Sequence, residues 1–264
     1  MTASDTVPPR PSRLELSALS GLPRIAQGDD LPAIILAGLE AADLRLESGD
    51  VLVIAQKIVS KAEGRLVRLD QVEPSPKARE LAAIAGKDPR VVELVLAESR
   101  AILRCQPGVI IVEDRRGLVL ANAGIDASNV ASEQDAETVL LLPEDPDASA
   151  DRLRAALERA ATCSLGVVIN DSIGRAWRNG TVGTAIGVSG LPGLLDLRGT
   201  PDLFGRVLKS TEIGLADELA AAASLIMGQA DEGRPVVLAR GLPYARRDGS
   251  AAELQRPKSM DMFR

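Results

Sequence analysis

From Asp29 to Leu44, apolar residues recur at helical spacing: Leu31, Ile34, Ile35 and Leu39 share one face and predict a helix. From a Ser48-Gly49-Asp50 turn, the run from Asp50 to Ala55 predicts a strand. A second strand, or the start of a helix, is expected over Lys57 to Lys61. Residues 76–85 and 89–99 predict two helices, the second with Val and Leu at i, i+3 and i+4. Val109–Val112 and Gly117–Leu120 predict a hairpin turning at Asp114 to Gly117. An amphipathic helix is expected over residues 149–161, with Ser149 near its N-cap. The run from Gly166 to Asn170 reads as a buried strand that ends in polar residues, and residues 215–227 as an Ala-rich helix. A glycine-containing loop and a strand over 235–239 follow. Strands and helices alternate irregularly among hairpin signals, so the expected class is a mixed α+β fold rather than a regular parallel sheet.

No long linker, repeat or low-complexity block interrupts the pattern. A flexible leader is expected over 1–18, one domain over 19–245 and a polar tail over 246–264. With 264 residues, 45% hydrophobic and 26% charged, the chain can bury one large core or two smaller lobes. A net charge of -6 and 2% aromatics argue against nucleic-acid binding, which needs clustered cations and stacking platforms. No apolar run approaches the ~20 residues of a membrane span, and residues 1–13 lack the apolar core of a signal peptide, so a cytoplasmic protein with no membrane partner is expected. Cys105 and Cys163 lack CxxC spacing and read as small core residues.

There is no histidine. That excludes a Ser-His-Asp triad, a Cys-His pair and a histidine-bound zinc. Any metal must be held mainly by oxygen, which favours magnesium or manganese. P-loop and GxGxxG patterns are also missing.

Polar, glycine-rich segments between the apolar runs are the candidates for chemistry. Gln56 to Arg65 carries Lys57 and Lys61, which suit phosphates as point charges but equally suit a solvated basic face. Ala121 to Asn129 sets Asp126, Ser128 and Asn129 within four residues, a density that fits a hard cation or simply a turn. Asn170 to Gly180 places Asp171 and Ser172 at the end of a buried strand, with Arg175 and Arg178 beyond them as fork-shaped donors for phosphate or carboxylate, or simply as partners of surface acids. Gly183, Gly187 and Gly190 suggest close approach of the backbone to a ligand or a partner strand. Met227 to Arg234 gathers an amide and acids at the end of the Ala-rich helix, where Gly228 also serves as a C-cap. Asp217 and Glu218 read as first-turn charges that complement the helix dipole.

Taken in order, these segments resemble the F420 γ-glutamyl ligase family. The likeness is carried by Leu22-Pro23-Arg24-Ile25 with Gly28 to Asp30, by Gly49 to Arg65 and by Gly86 to Arg90. It continues through Ala121 to Asn129, Leu142 to Ala150, Asp171 to Gly180, Ala185 to Gly187, Asp196 to Gly199, Ala216 to Ala220 and Met227 to Gln229, covering residues 20–245.

The resemblance implies largely antiparallel sheets with flanking helices in a two-lobed subunit that forms a homodimer. It implies a GTP-dependent ligase that adds L-glutamate to the coenzyme F420 precursor and extends a γ-linked chain through an acyl phosphate. Two magnesium or manganese sites and potassium are implied as cofactors. By matching position, Asp126, Asp171, Ser172 and Gln229 would hold the metals. Leu22, Pro23, Arg24, Ile25, Gln56, Lys57, Lys61, Asn129, Met227, Gly228, Gln229, Ala230, Asp231, Glu232, Gly233 and Arg234 would line the nucleotide. Arg175 and Arg178 are expected to act in catalysis by holding phosphate or glutamate carboxylates. This chain departs from the expected Thr-Asp-Thr pattern with Asn170-Asp171-Ser172, which leaves open a different acceptor or amino acid. A non-catalytic GTP-binding relative is the remaining alternative. Some bacterial relatives carry a fused flavin-dependent reductase domain, which is not expected here.

Overall fold

The computed structural model describes residues 13–126, 137–244 and 246–261. Its elements run β1 (Glu15–Leu19), α1 (Leu31–Ala41), β2 (Val51–Ala55), α2 (Gln56–Ala62), β3 (Leu66–Arg68), α3 (Pro76–Ala85), α4 (Pro89–Ala97), β4 (Ser99–Gln106) and β5 (Val109–Asp114). They continue with β6 (Val119–Ala121), β7 (Thr138–Leu140), α5 (Pro146–Ala161), β8 (Gly166–Arg175), β9 (Arg178–Ser189), β10 (Leu195–Asp196), β11 (Glu212–Ile213), α6 (Leu215–Met227) and β12 (Val236–Arg240). The class is mixed α+β, as the element pattern predicts.

Several helix starts follow one local rule. Asp30, Ser75, Asp88 and Asp145 each accept a backbone N–H of the first turn through the side chain, and each is followed by a proline at N1 or N2. Capping meets an orphan donor, and proline pre-sets φ where no N–H is needed. The rule also corrects the start of α5. Its N-cap is Asp145, not Ser149, because Asp145 precedes Pro146. Ser149 lies about one turn inside the helix and donates its hydroxyl to Glu63 at 2.5 Å. Residues 57–61 are helical, in α2, and the helix expected to reach Ser99 stops at Ala97 because Ser99 begins β4.

The main sheet has the order β1-β12-β2-β8-β9, with β2 and β8 parallel and every other pair antiparallel. Both of its faces are buried. Leu52, Ile54, Val167, Ile169, Val236 and Leu238 point to a core shared with α1 and α5. Val51, Val53, Val168, Val237 and Ala239 point to a second core with α6. A smaller core joins α3 and α4 to the β4-β5-β6 sheet.

The strand β9 carries both helices. A bulge at Ile186 breaks its register with β8, so that Ile169 opposes Gly187 while Asn170 opposes Ala185. One extra residue changes which face the following side chains meet. A Cβ at Gly183 would lie 2.3 Å from the Ala220 carbonyl oxygen in α6, and one at Gly187 would lie 2.4 Å from that of Pro146 in α5. The close approaches expected at these glycines are therefore to helices.

Two carboxylates at the helix starts meet N–H groups of the same strand. Asp217 accepts from Ala185 at 2.9 Å, and Asp147 accepts from Val188 at 2.8 Å and from Ala251 at 2.9 Å. Ser189 donates to Asp151 in the next turn of α5. Asp217 is thus more than a charge complementing a dipole: it satisfies a strand donor, as an outermost strand requires.

A buried ionic network fixes the smaller sheet. Glu98 accepts from Arg65 at 3.0 Å and from Arg116 at 2.9 Å, and Arg116 also meets Asp114 at 2.9 Å. The same arginines donate to the Leu142 and Pro143 carbonyls, which lead into α5. The segment expected as a polar tail lies across both layers. Gln255 donates to the Arg116 carbonyl at 3.1 Å, and Lys258 pairs with the buried Glu113 at 2.8 Å. Among the described residues, no helix is long and apolar enough to cross a membrane.

Replacing Asp217 with Ala should strand the Ala185 N–H and cost about 1–3 kcal/mol in urea unfolding. The pH dependence follows from burial, which raises the Asp217 and Asp147 carboxyl groups above their ordinary 3.8. A raised folded pKa gives a contribution that is fully present below the unfolded value and is lost as pH rises through the folded one. Asp217→Asn keeps an acceptor but removes that titration. Its stability relative to the native protein should therefore improve as pH rises from the ordinary aspartate value through the raised one, and then level off.

Candidate functional site

The site forms where the parallel strands β2 and β8 end. Ligands of α/β sheets gather at the carboxyl ends of such strands, because the chain turns away there and leaves backbone and polar side chains open. On one side, β2 passes directly into α2 and presents Lys57 and Lys61. On the other, β8 outruns β2 after the Ala55–Asn170 pair and carries Asp171 and Ser172 beyond it.

Three further segments close in. The turn after β6 ends at Asp126, which is bridged to the body by backbone pairing with Leu140. Lys57 Nζ lies 2.6 Å from an Asp126 carboxylate oxygen. Leu22 and Ile25 are half-buried against the core while Pro23 and Arg24 face outward, which anchors that segment with its charge exposed. The Gly28 N–H donates to the Ala62 carbonyl at 2.9 Å and ties the segment to the end of α2. The loop after α6 brings Gln229, whose Oε1 accepts from Ser172 Oγ at 2.6 Å.

These groups sense one another electrostatically. Burial pushes the Asp171 carboxyl up to about 6, and the nearby Asp126 charge adds to the rise while Lys57 opposes it. Lys61 is held below its ordinary value by burial and by the repulsion of Lys57 and Arg24, against the pull of Asp126. Two carboxylates and three cations therefore share one small region. Such a region is stable only where the charges alternate, or where a ligand supplies what is missing.

The oxygen donors suit a hard cation. Asp126 and Asp171 supply carboxylates, and Ser172 and Gln229 bring a hydroxyl and an amide oxygen to one point, with no nitrogen or sulfur competitor in the set. No group of three His, Cys, Asp or Glu side chains capable of holding a metal exists among the described residues. A cation here would rely on the hydroxyl and amide as well as on the acids.

The loop from Met227 to Arg234 is shaped by Gly228 and Glu232. Gly228 has φ +81°, a conformation open to glycine, and a Cβ there would lie 2.2 Å from the Glu232 carboxyl carbon. The Glu232 carboxylate accepts from the Ala230 N–H at 2.8 Å and is held below its usual range by the backbone donors of this loop. Ala230, Asp231, Glu232 and Gly233 are thus exposed around a carboxylate-centred turn, with Arg234 at its end.

Other predicted residues lie elsewhere or turn inward. Gln56 is buried and accepts from Ser60 at 2.9 Å. Arg175 and Arg178 are exposed at the tip of the β8–β9 hairpin, and Arg175 stands about 13 Å along the strand from Asp171 at ~3.3 Å per residue. Asn129 lies outside the described residues. Sequence reasoning missed Ser224, which accepts from the Asn170 amide at 3.1 Å from within α6. A serine in an Ala-rich helix was the only available signal, and it carries no spacing to read.

The model of the F420-0:Gamma-glutamyl ligase family matches residues 21–241. The chain is 50% identical over 245 residues to a coenzyme F420:L-glutamate ligase of Methanopyrus kandleri, covering 91% of this chain and 94% of that protein. It is 46% identical over 253 residues to the ligase of that name from Methanothermobacter thermautotrophicus, covering 95% and 99% of the two chains. Against that of Archaeoglobus fulgidus, identity is 43% over 252 residues, with 96% and 97% covered. The match spans every segment that builds the site, and the chain belongs to the F420-0:Gamma-glutamyl ligase family.

Proposed function

We propose that the chain is a GTP-dependent, metal-dependent ligase that joins L-glutamate to the coenzyme F420 precursor and then extends the γ-linked chain. The observation that carries this reading is the meeting of Asp126 and Asp171 with Lys57, Lys61 and Arg24 at the end of β8, the strand that also carries the Ser172–Gln229 pair, in a chain of this family. Asp126, Asp171, Ser172 and Gln229 would hold two magnesium or manganese ions, with potassium assisting. Cations bound there would neutralise charge developing on phosphoryl oxygens.

The chain's own residues divide the remaining work. Lys57, Lys61 and Arg24 draw an anionic triphosphate toward the strand ends, and the loop from Met227 to Arg234 lines the nucleotide together with Leu22 to Ile25. A carboxylate oxygen of the precursor attacks the γ-phosphorus, and GDP leaves. The glutamate amine then attacks the acyl carbon, losing a proton as inorganic phosphate departs and the amide forms. Neither step needs a protein nucleophile, which accords with a chain lacking histidine. Arg175 and Arg178 would hold phosphate or glutamate carboxylates, reaching them when the hairpin bends or when a second subunit approaches.

The subunit is further proposed to be two-lobed, cytoplasmic and paired as a homodimer. The arm between β10 and β11 exposes Leu203 at 99%, Phe204 at 86% and Val207 at 59%. Large apolar side chains presented together on an arm are costly in water and favour a partner surface.

Incubation with GTP, manganese, potassium, glutamate and the unglutamylated coenzyme should yield products heavier by successive glutamyl units in mass spectrometry. Asp171→Ala should reduce that rate by about 100-fold or more. GDP release without glutamylation would identify a different acceptor, and GTP binding with no turnover would make the chain a non-catalytic relative. For assembly, light scattering should give twice the subunit mass, and Phe204→Asp should shift the population to the monomer. A native protein that is already monomeric at micromolar concentration would remove the dimer from the proposal.

A further inference from the structure

We infer that Asn170 is a positioning residue: its contact with Ser224 and Met227 sets the nucleotide-lining loop against the metal-bearing end of β8. The inference rests on the reading of the site given above. Asn170 is 3% exposed and is the last residue of β8 to pair with β2. Its amide nitrogen donates to Ser224 Oγ at 3.1 Å and lies 3.7 Å from Met227 Sδ. Two residues on, and so on the same face of the strand, Ser172 donates to Gln229. The end of β8 and the end of α6 are therefore joined at two successive points.

The seat between them is tight. Gly183 pairs with Ser172 in the β8–β9 ladder, and a Cβ there would lie 2.2 Å from Ser224 Oγ. The helix rests on bare backbone at this point, which places the Ser224 hydroxyl within reach of Asn170. Leu219, Ala220, Ala223 and Met227 already supply apolar packing for α6. Packing alone would be served by an apolar residue at 170, because a buried amide loses its water.

The amide is also only half satisfied. Asn170 Oδ1 is buried and meets no hydrogen-bond donor among the described residues, and exchanging the amide's two ends would leave the nitrogen in that position instead. A polar group kept at such a cost acts through the end that is used. That end meets the last turn of α6, one residue before Gly228 turns the chain and two before Gln229. Glu232 braces the same turn through Ala230. A shift of the last helical turn therefore passes to Gln229 with little slack.

Asn170→Leu, which keeps the branched shape and removes both polar ends, tests this with Mn2+ binding followed by electron paramagnetic resonance, without turnover. Mn2+ affinity should fall about 10-fold, the scale for partners that orient metal ligands. KM for GTP should rise more than KM for glutamate, while the thermal midpoint holds or increases because the unsatisfied amide is gone. Ser224→Ala should weaken Mn2+ binding in the same direction, and the double variant should lose less than the product of the two. A folded Asn170→Leu protein with native Mn2+ affinity and native KM for GTP would overturn the inference. So would a parallel loss of stability and affinity in both single variants, which is the signature of packing alone. A native protein that binds no Mn2+ would overturn the metal-site reading itself, and the inference with it.

Discussion

Two helices must cover opposite faces of one sheet at its last strand, and β9 makes room for both. It has no side chain at Gly183, where α6 crosses, or at Gly187, where α5 crosses. The bulge at Ile186 turns the strand between them. The starts of both helices then supply Asp217 and Asp147 to strand N–H groups. Sheet, helix placement and donor satisfaction are thus one arrangement. The site inherits its geometry from it, because α6 ends where β8 outruns β2, and the loop carrying Gln229 starts there.

The charged networks do different work in the two layers. Around Glu98, two arginines satisfy the buried acid and also donate to the Leu142 and Pro143 carbonyls, so the network fixes the smaller sheet to the segment entering α5. Breaking such a cluster leaves a buried charge unmatched, which makes it a rigid joint. At the strand ends the balance is incomplete. Asp171 is pushed up to about 6 by burial, and Lys61 is held below its ordinary value by burial and by neighbouring cations. Perturbed groups of both kinds in one region single it out as the candidate site.

Local rules in the chain were legible where one residue decides an outcome. Asp or Ser before proline starts helices, and Pro76–Ala85 ends at Gly86 in the left-handed conformation. The strands β2, β8 and β12 read as apolar runs because both faces of their sheet are buried. Polar alternation hid β4, and a glycine-rich composition hid most of β9. Ser149 looked like a cap because its neighbours suit a helix, but the proline at 146 had already set the start.

The sequence by itself determined most of the element types, a chemistry that works without histidine, and, through its ordered motifs, the family. Tertiary structure decided which of those motifs meet. Asp126, Asp171, Lys57, Lys61 and Arg24 are scattered from residue 24 to residue 171, and only the sheet order brings their charges within range of one another. It also decided that Gly183 and Gly187 seat helices, that Gln56 turns inward, and that Asn170 meets Ser224. The physical reason is that caps and turns depend on neighbours in the chain, whereas charge clusters and close backbone contacts depend on strand register and on which face a bulge selects.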